Sequence, residues 1–552
     1  MSADALSHPA TPVTPTRSAR YPELPPWRRR LRRSLFATGL YQSWLRRAAP
    51  AAIAWTPAAI VEGSADAANA MFQGRYTFAG HTVQSAKDAP WRQPDVPPGW
   101  LTACHEFGWL TDFAAADGAT ARKQARELVR RWIADFGKWS PSVWRADTLG
   151  MRLVAWLTHA DFLLVDAEPE FGGIFLRSIG EQLRHLGRAH RATDDAVHRI
   201  VARSSYVIAT IAVGRRVPKW DRMVAQLIAD TRSVTDGVAT RCPGDLLRVL
   251  PALVGLRTAL EAGRKPAIDA LADGIAAVAA ILRVVMHGDG RLAVFHGSQE
   301  GSEKTIAALL AHGGRQPTAP AAAGFARLQQ GRLLAIAETA DPGPSDGYAA
   351  TLALEVSIGK ERLFVNCGRP DNDDAAWQAA ARATAAHSTL VVDDRNQDPT
   401  ASVTAPQVLR GEEGDSVWLD LSSHAYARRF GVRLARRLHI AKDGHELVCE
   451  EQVFPAVMAE GAESPGVLCA RYHLHPKVAA TPLGSGRQIL LKLGNGTGWV
   501  FEVAEGTAGL EESVYFGESG KARRTRQIVI TRPIDARSCR VMWHLMRLDG
   551  RA

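Results

Sequence analysis

The stretch Gln316-Pro317-Thr318-Ala319-Pro320-Ala321-Ala322-Ala323 separates two parts of the chain with different hydrophobic periods. Upstream, from about residue 105, apolar residues recur at helical spacing. Residues 119–132 carry Ala125, Leu128, Val129 and Trp132 on one face, which predicts a long amphipathic helix. Further helices are expected over 149–164, 175–189, 196–213, 220–234, 243–261 and 266–286, with another opening at Glu106-Phe107-Gly108-Trp109-Leu110. Consecutive helices of similar length with short loops imply an α/α barrel or a superhelix. Downstream, short alternating segments predict strands at 326–339, 349–356, 362–367, 389–393, 417–421, 433–440, 446–453, 470–475, 488–493, 499–503 and 526–530. Helices followed by strands mean separate layers, so a β-sandwich or stacked antiparallel sheets follow the helical part.

Working outward, residues 1–26 are rich in Ser, Thr, Pro and Ala and read as a disordered leader. Residues 27–100 hold a basic segment, 27–47, with Leu31, Leu35, Leu40, Trp44 and Leu45 as its apolar members, and a connecting stretch. This segment is either a surface helix packed on the helical domain or a contact to an acidic membrane surface. The helical domain spans 101–316 and the strand-rich domain 325–548. The longest strongly apolar run, 274–282, is closed by Asp273 and Arg283 and is far too short for a transmembrane helix. No typical secretory signal is visible, which points to the cytoplasm.

The chain has 552 residues and a net charge of +10, so its summed field attracts polyanions. With no zinc-finger spacing, RNA-recognition motif or basic zipper, nucleic acid is not the expected partner. The six cysteines are scattered, with no CxxC pair, and suggest neither a zinc site nor a disulfide framework. Fifteen tryptophans are either a large helical core or flat platforms for sugars.

Several ordered stretches carry a family resemblance. Trp139-Ser140-Pro141, Arg152-Leu153-Val154-Ala155-Trp156-Leu157 and the turn from His287 through Gly288-Asp289-Gly290 to Phe295 are similar to the helical toroid of heparinase II/III-like proteins. Leu352-Ala353-Leu354-Glu355, Leu363-Phe364-Val365-Asn366-Cys367-Gly368 and Ala383-Thr384-Ala385-Ala386-His387-Ser388-Thr389-Leu390 resemble that family's C-terminal domain. Arg471-Tyr472-His473-Leu474-His475-Pro476 and Glu511-Glu512-Ser513-Val514-Tyr515 extend the match. The resemblance implies an N-terminal α/α toroid followed by a C-terminal antiparallel β-sandwich. It also implies an acidic, uronic-acid polysaccharide as partner, and β-elimination as the chemistry. Its members suggest a periplasmic or cell-envelope setting.

Elimination needs a group that neutralises the uronate carboxylate, a base for the C5 proton and an acid for the leaving oxygen. Here the sequence departs from the family. The helix at 196–213 has His198 and Tyr206 but lacks the expected adjacent Asn-His pair. In the stretch from Asp236-Gly237 to Asp245, Ala239 stands for a His and Asp245 for a Tyr, and Tyr348 stands where the second domain would supply a His. The candidates that remain are Tyr348, His387 and His287 for catalysis, with Arg241, Asp289, His296 and Arg382 for substrate binding. His287, Asp289 and Arg241 from the helical domain, with Tyr348 and His387 from the strand-rich one, are expected to face a common groove. Tyr348 serves as a base only if Arg241 or Arg382 lowers its pKa. His473 and His475 form an HxH pair suited to a divalent metal, but no third ligand is visible and no cofactor is required.

Three functions fit these residues. One is a lyase. The second is a diverged polysaccharide-binding or assembly protein in surface-polysaccharide production. The third is a hydrolase using Asp245 and Asp289.

Overall fold

The computed structural model describes residues 26–548 except 47–48, 86–88, 192, 194, 315–318, 320, 341–346, 373, 399–406, 458–460 and 485. The leader expected at 1–26 therefore falls, but for Pro26, outside the described residues. The chain folds as an N-terminal α/α toroid followed by antiparallel sheets that stack face to face and do not close into a barrel.

Gly118–Phe136 illustrates how the toroid helices form. Ala121, Ala125, Leu128, Val129 and Trp132 are buried at helical spacing, while the opposite face carries Arg and Glu. Ala196–Ala212 is the central helix, buried around almost its whole circumference. It packs against Ala146–Thr158 and Pro243–Ala262. The approach is close enough that a Cβ at Gly150 would lie 2.8 Å from the Ser205 Cβ, so glycine is required there. A Trp-rich core fills the first half of the toroid, with Trp100, Trp132 and Trp156 fully buried. Arg152 is buried among them, 4.2 Å from the Trp132 ring, and donates to Gln182 and to the carbonyls of His105 and Val143. These tryptophans serve packing, not sugar stacking.

Two helical expectations need correction. Glu106-Phe107-Gly108-Trp109-Leu110 opens no helix; Pro98–Glu106 ends there because Phe107 adopts the left-handed conformation, φ 62°, and Leu110–Ala116 starts anew. The segment at 149–164 is two helices, Ala146–Thr158 and Ala160–Leu164, broken at His159. At the N-terminus, Pro26–Phe36 and Gly39–Leu45 are separate helices, with Thr38 capping the second.

The last toroid helix ends at Ala311 and the first strand of the stacked sheets starts at Ala321; a separate hairpin, Arg75–Phe78 with His81–Gln84, lies within the N-terminal part. One sheet runs, in spatial order, Ala479–Leu483, Gln488–Lys492, Gly498–Val503, Cys539–Arg547, Glu446–Pro455, Val432–Ala441, Ser416–Ser423 and Val408–Glu413. The other places Ala508–Tyr515, Arg523–Pro533, Val467–Leu474, Glu361–Val365, Leu354–Ile358, Leu333–Glu338, Phe325–Gln330 and Ala321–Ala322 side by side. Inward residues alternate as a two-residue period demands: Val432, Leu434, Arg436, Leu438 and Ile440 all face the core. Arg436 can sit in that row because its cross-strand partner is Glu451, with Nη2 2.7 Å from Oε1.

Candidate functional site

Three toroid helices, Ala146–Thr158, Ala196–Ala212 and Pro243–Ala262, start at one mouth of the toroid and bring their N-terminal residues together. Unsatisfied backbone N–H groups and the helix dipoles give such a mouth a positive character. His198 Nε2 lies 3.6 Å from Asp147 Oδ2, Arg145 Nη2 3.1 Å and Arg248 Nη2 3.5 Å. Arg248 also pairs with Glu106 at 2.6 Å. Asp195 caps the central helix by accepting from the His198 N–H. Thr240 donates to Asp245, whose carboxyl is pushed up by burial.

The turn at 296–298 and the start of the second domain form the opposite lip. Tyr348 stands edge-on to His296 and His387, at ring distances of 5.7 and 6.0 Å. His296 Nε2 is 2.6 Å from Glu338 Oε1, and Arg241 Nε is 3.4 Å from the same oxygen. Gly297 has φ +73°, and a Cβ there would fall 2.1 Å from the Tyr348 hydroxyl, so only glycine lets the turn close over this ring. The Arg382 and Arg369 guanidiniums lie close enough to favour the ionised form of the Tyr348 hydroxyl. Five of the seven candidates (Tyr348, His387, His296, Arg241 and Arg382) thus come together.

Exposure separates the charges of this region. The carboxylates are the buried members: the side chains of Asp147, Glu106 and Glu338 are 5, 13 and 1% exposed. Arg145, Arg369 and Arg382 are exposed, so cations face solvent, with Asp195 the exposed acidic exception. Burial pushes the Tyr348 hydroxyl above its ordinary pKa despite Arg369 and Arg382. Burial, with His296 adding to it, lowers His387 to about 4, and its Nδ1 donates to the Ala383 carbonyl at 2.9 Å.

His287 and Asp289 do not join this group; both sit in the seam between the domains. His287 is buried with Nδ1 2.8 Å from Ser357 Oγ and Nε2 2.9 Å from Glu355 Oε2. The second Glu355 oxygen accepts from the Val294 N–H and from the backbone and side chain of Asn366. Asp289 pairs with buried Arg362 at 2.9 Å, and the hydrolase pair Asp245 and Asp289 is split between mouth and seam. The physical reason is the chain reversal at His287-Gly288-Asp289-Gly290, which turns these side chains toward the sheet strands that carry Glu355 and Arg362.

The HxH pair is also divided. His473 spends Nδ1 on Ser513 at 2.7 Å and Nε2 on the Ala385 carbonyl at 3.0 Å, which leaves no nitrogen for a metal. His475 turns to Glu300, 3.5 Å away, and with Glu518 these residues bring ligand atoms within 4.8 Å of one another. That trio is a poor cation site. Glu300 already accepts from Tyr515 and pairs with Arg291 at 3.1 Å with Arg362 at 3.9 Å, and Glu518 pairs with Arg523.

The mouth residues Arg145, Asp147, Glu106, Arg248, Glu338 and Arg369 belong to no local motif. Glu338 alone leaves a trace, as a charged residue closing the otherwise apolar strand Leu333–Glu338.

Comparison with known proteins agrees with this architecture. Residues 312–544 match the heparinase II/III-like C-terminal family. The FtsZ-localized protein C of Caulobacter vibrioides is 27% identical over 517 residues, covering 87% of this chain and 88% of the relative. Among solved structures, heparinase III superimposes with a TM-score of 0.67 at 12% identity, covering 95% of this chain and 91% of that one. A mutant of the heparan sulfate lyase HepC from Pedobacter heparinus gives 0.59 at 17% identity, covering 94 and 88%. At these identities the structural matches speak for the fold.

Proposed function

We propose, for a chain that belongs to the heparinase II/III-like family through its residues 312–544, a polysaccharide-binding role in which the mouth of the toroid receives an acidic glycan and the elimination chemistry has been lost. The observation that carries this reading is the asymmetry of exposure at the mouth: arginines outward, carboxylates inward, above three helix N-termini. The exposed guanidiniums of Arg145, Arg369 and Arg382 suit uronate carboxylates, which a planar fork meets with two hydrogen bonds.

The groups that would perform elimination are engaged otherwise. A base for the C5 proton must be able to accept it at working pH. Tyr348, with its pKa raised, keeps its proton. His387 is lowered by burial to about 4, which makes it a weak base, and the Nε2 of His296 is held by Glu338. The relative from Caulobacter vibrioides is named for its localization and not for a reaction, which is compatible with a non-catalytic role. Among the described residues no helix is long and apolar enough to cross a membrane.

The experiment is to mix the protein with uronic-acid polymers, heparan sulfate included, and follow both affinity and ultraviolet absorbance. β-Elimination creates a conjugated double bond that absorbs; hydrolysis creates reducing ends without it. Saturable binding with neither signal is the expected result. Growth of the absorbance restores the lyase reading, reducing ends alone favour a hydrolase, and no binding to any acidic polymer removes the proposal.

A further inference from the structure

The N-terminal arm presents a feature that glycan binding at the mouth does not use. Between residues 26 and 47 the sequence holds seven arginines, at 28, 29, 30, 32, 33, 46 and 47, and no acidic residue. Among its described side chains, Pro26–Phe36 meets the rest of the helical part through Phe36 and Arg32. Phe36 stacks against Tyr41, Trp139 and His185, and Arg32 donates to the Arg188 carbonyl at 3.2 Å. At about 100° per residue, Trp27, Leu31 and Leu35 lie roughly 100–180° around the helix from Phe36. They are 60, 63 and 53% exposed, and Leu40 on the next helix is 86% exposed.

Isolated exposed apolar residues are ordinary, but a tryptophan and two leucines at i, i+4 and i+8 make a stripe. A stripe of this kind on an acid-free, arginine-dense helix matches a helix that lies in the plane of a lipid surface. Its apolar edge sinks among acyl chains while guanidiniums meet anionic headgroups. A nucleic acid or soluble polyanion would satisfy the arginines alone and would gain nothing from Trp27, Leu31 and Leu35.

We propose that Pro26–Phe36 docks this protein on an anionic membrane surface through the Trp27, Leu31 and Leu35 stripe. The next helix fixes its attitude. Gly39–Leu45 buries Tyr41 and Leu45, the Tyr41 hydroxyl is 2.9 Å from His185 Nδ1, and Arg188 lies 3.7 Å above the Trp44 ring. The arm is thus seated on the toroid and offers its outer side without rearranging.

The test uses the full chain in co-sedimentation with vesicles of phosphatidylglycerol and phosphatidylcholine, compared with pure phosphatidylcholine. Binding to the anionic vesicles only is expected. A triple variant, Trp27→Ser, Leu31→Ser and Leu35→Ser, keeps every arginine and should bind at least tenfold more weakly with an unchanged circular-dichroism melt. Three results would overturn the proposal. These are no binding to anionic vesicles, full binding by the triple variant, or displacement of the protein from vesicles by a saturating uronic-acid polymer. The last would mean that the arm belongs to the glycan site.

Discussion

The mouth of the toroid and the seam between the domains are built from the same kinds of residue, yet they are arranged for opposite ends. In the seam, charges are matched largely out of water: His287 meets Glu355, Arg362 meets Asp289, and Glu300 accepts from Tyr515, with only Arg291 reaching it from the exposed rim. At the mouth, buried carboxylates hold arginines whose outer faces remain wet. A charge that is fully matched inside the protein has nothing left to offer a ligand. Titratable residues in a conserved-looking turn are therefore weaker pointers to a site than guanidiniums half held and half exposed.

The comparison can be broken most decisively in the seam. Arg362→Met leaves Asp289 without its cation and Glu300 with Arg291 alone, and breaking such a buried pair costs about 3–5 kcal/mol. Denaturant unfolding should register that loss, while glycan affinity of the folded protein stays unchanged. A stable variant with weakened binding would reverse the two roles.

Acid comes next. Burial lowers His105, His159 and His387 to about 4 each. The unfolded chain takes up protons near pH 6.5 while the folded chain resists until about pH 4. Stability carried by these neutral rings is therefore complete above about pH 6.5, declines as pH falls, and is fully lost below about 4. A melting-temperature series across that range should slope downward toward acid; a flat series would mean these rings are not held neutral.

A smaller effect should separate binding from folding at the mouth. Each of Arg145→Ala, Arg369→Ala and Arg382→Ala removes one charge-assisted contact, worth about 1.5–3 kcal/mol, so affinity for an acidic glycan should drop about tenfold or more. Unfolding of the Arg369 and Arg382 variants should shift by no more than about 0.5 kcal/mol, whereas Arg145→Ala should also cost stability through the buried Asp147. Arg241→Ala belongs on the other side of the contrast, because Arg241 pairs with Glu338 where both are buried, and its cost should appear in stability.

The smallest expected change is at Tyr348. Tyr348→Phe removes only the hydroxyl, and glycan affinity should stay within about twofold, short of even one ordinary hydrogen bond. Loss of an elimination signal in this variant would identify the tyrosine as a base and overturn the proposed function.

The domain order and most helices were legible because each half keeps one hydrophobic period over long stretches. The turns were less so. Nothing local foretells that Phe107 goes left-handed, or that the outer strand Val408–Glu413, exposed almost throughout, pairs at all. In the candidate site, His387 was readable because it falls in a family-like stretch, and Tyr348, His296, Arg241 and Arg382 because they lie near such stretches or where the chain departs from them. His287 and Asp289 fall in such a stretch as well, but the direction of their side chains depends on Glu355 and Arg362, about 70 residues later, and no spacing rule reaches that far. Arg145, Arg248 and Glu106 meet only because the starts of Ala146–Thr158 and Pro243–Ala262 and the end of Pro98–Glu106 converge at one mouth.

The strand Cys539–Arg547 lies inside its sheet, between Gly498–Val503 and Glu446–Pro455. During synthesis the toroid emerges whole long before this strand does, so its Trp-rich core can settle while the sheet still lacks an interior member. Until residues 539–547 leave the ribosome, two strand edges stand open at the gap, each able to pair with a wrong neighbour. Premature termination just upstream of Cys539 should therefore yield a folded toroid trailing an aggregation-prone sheet, not a slightly shortened protein.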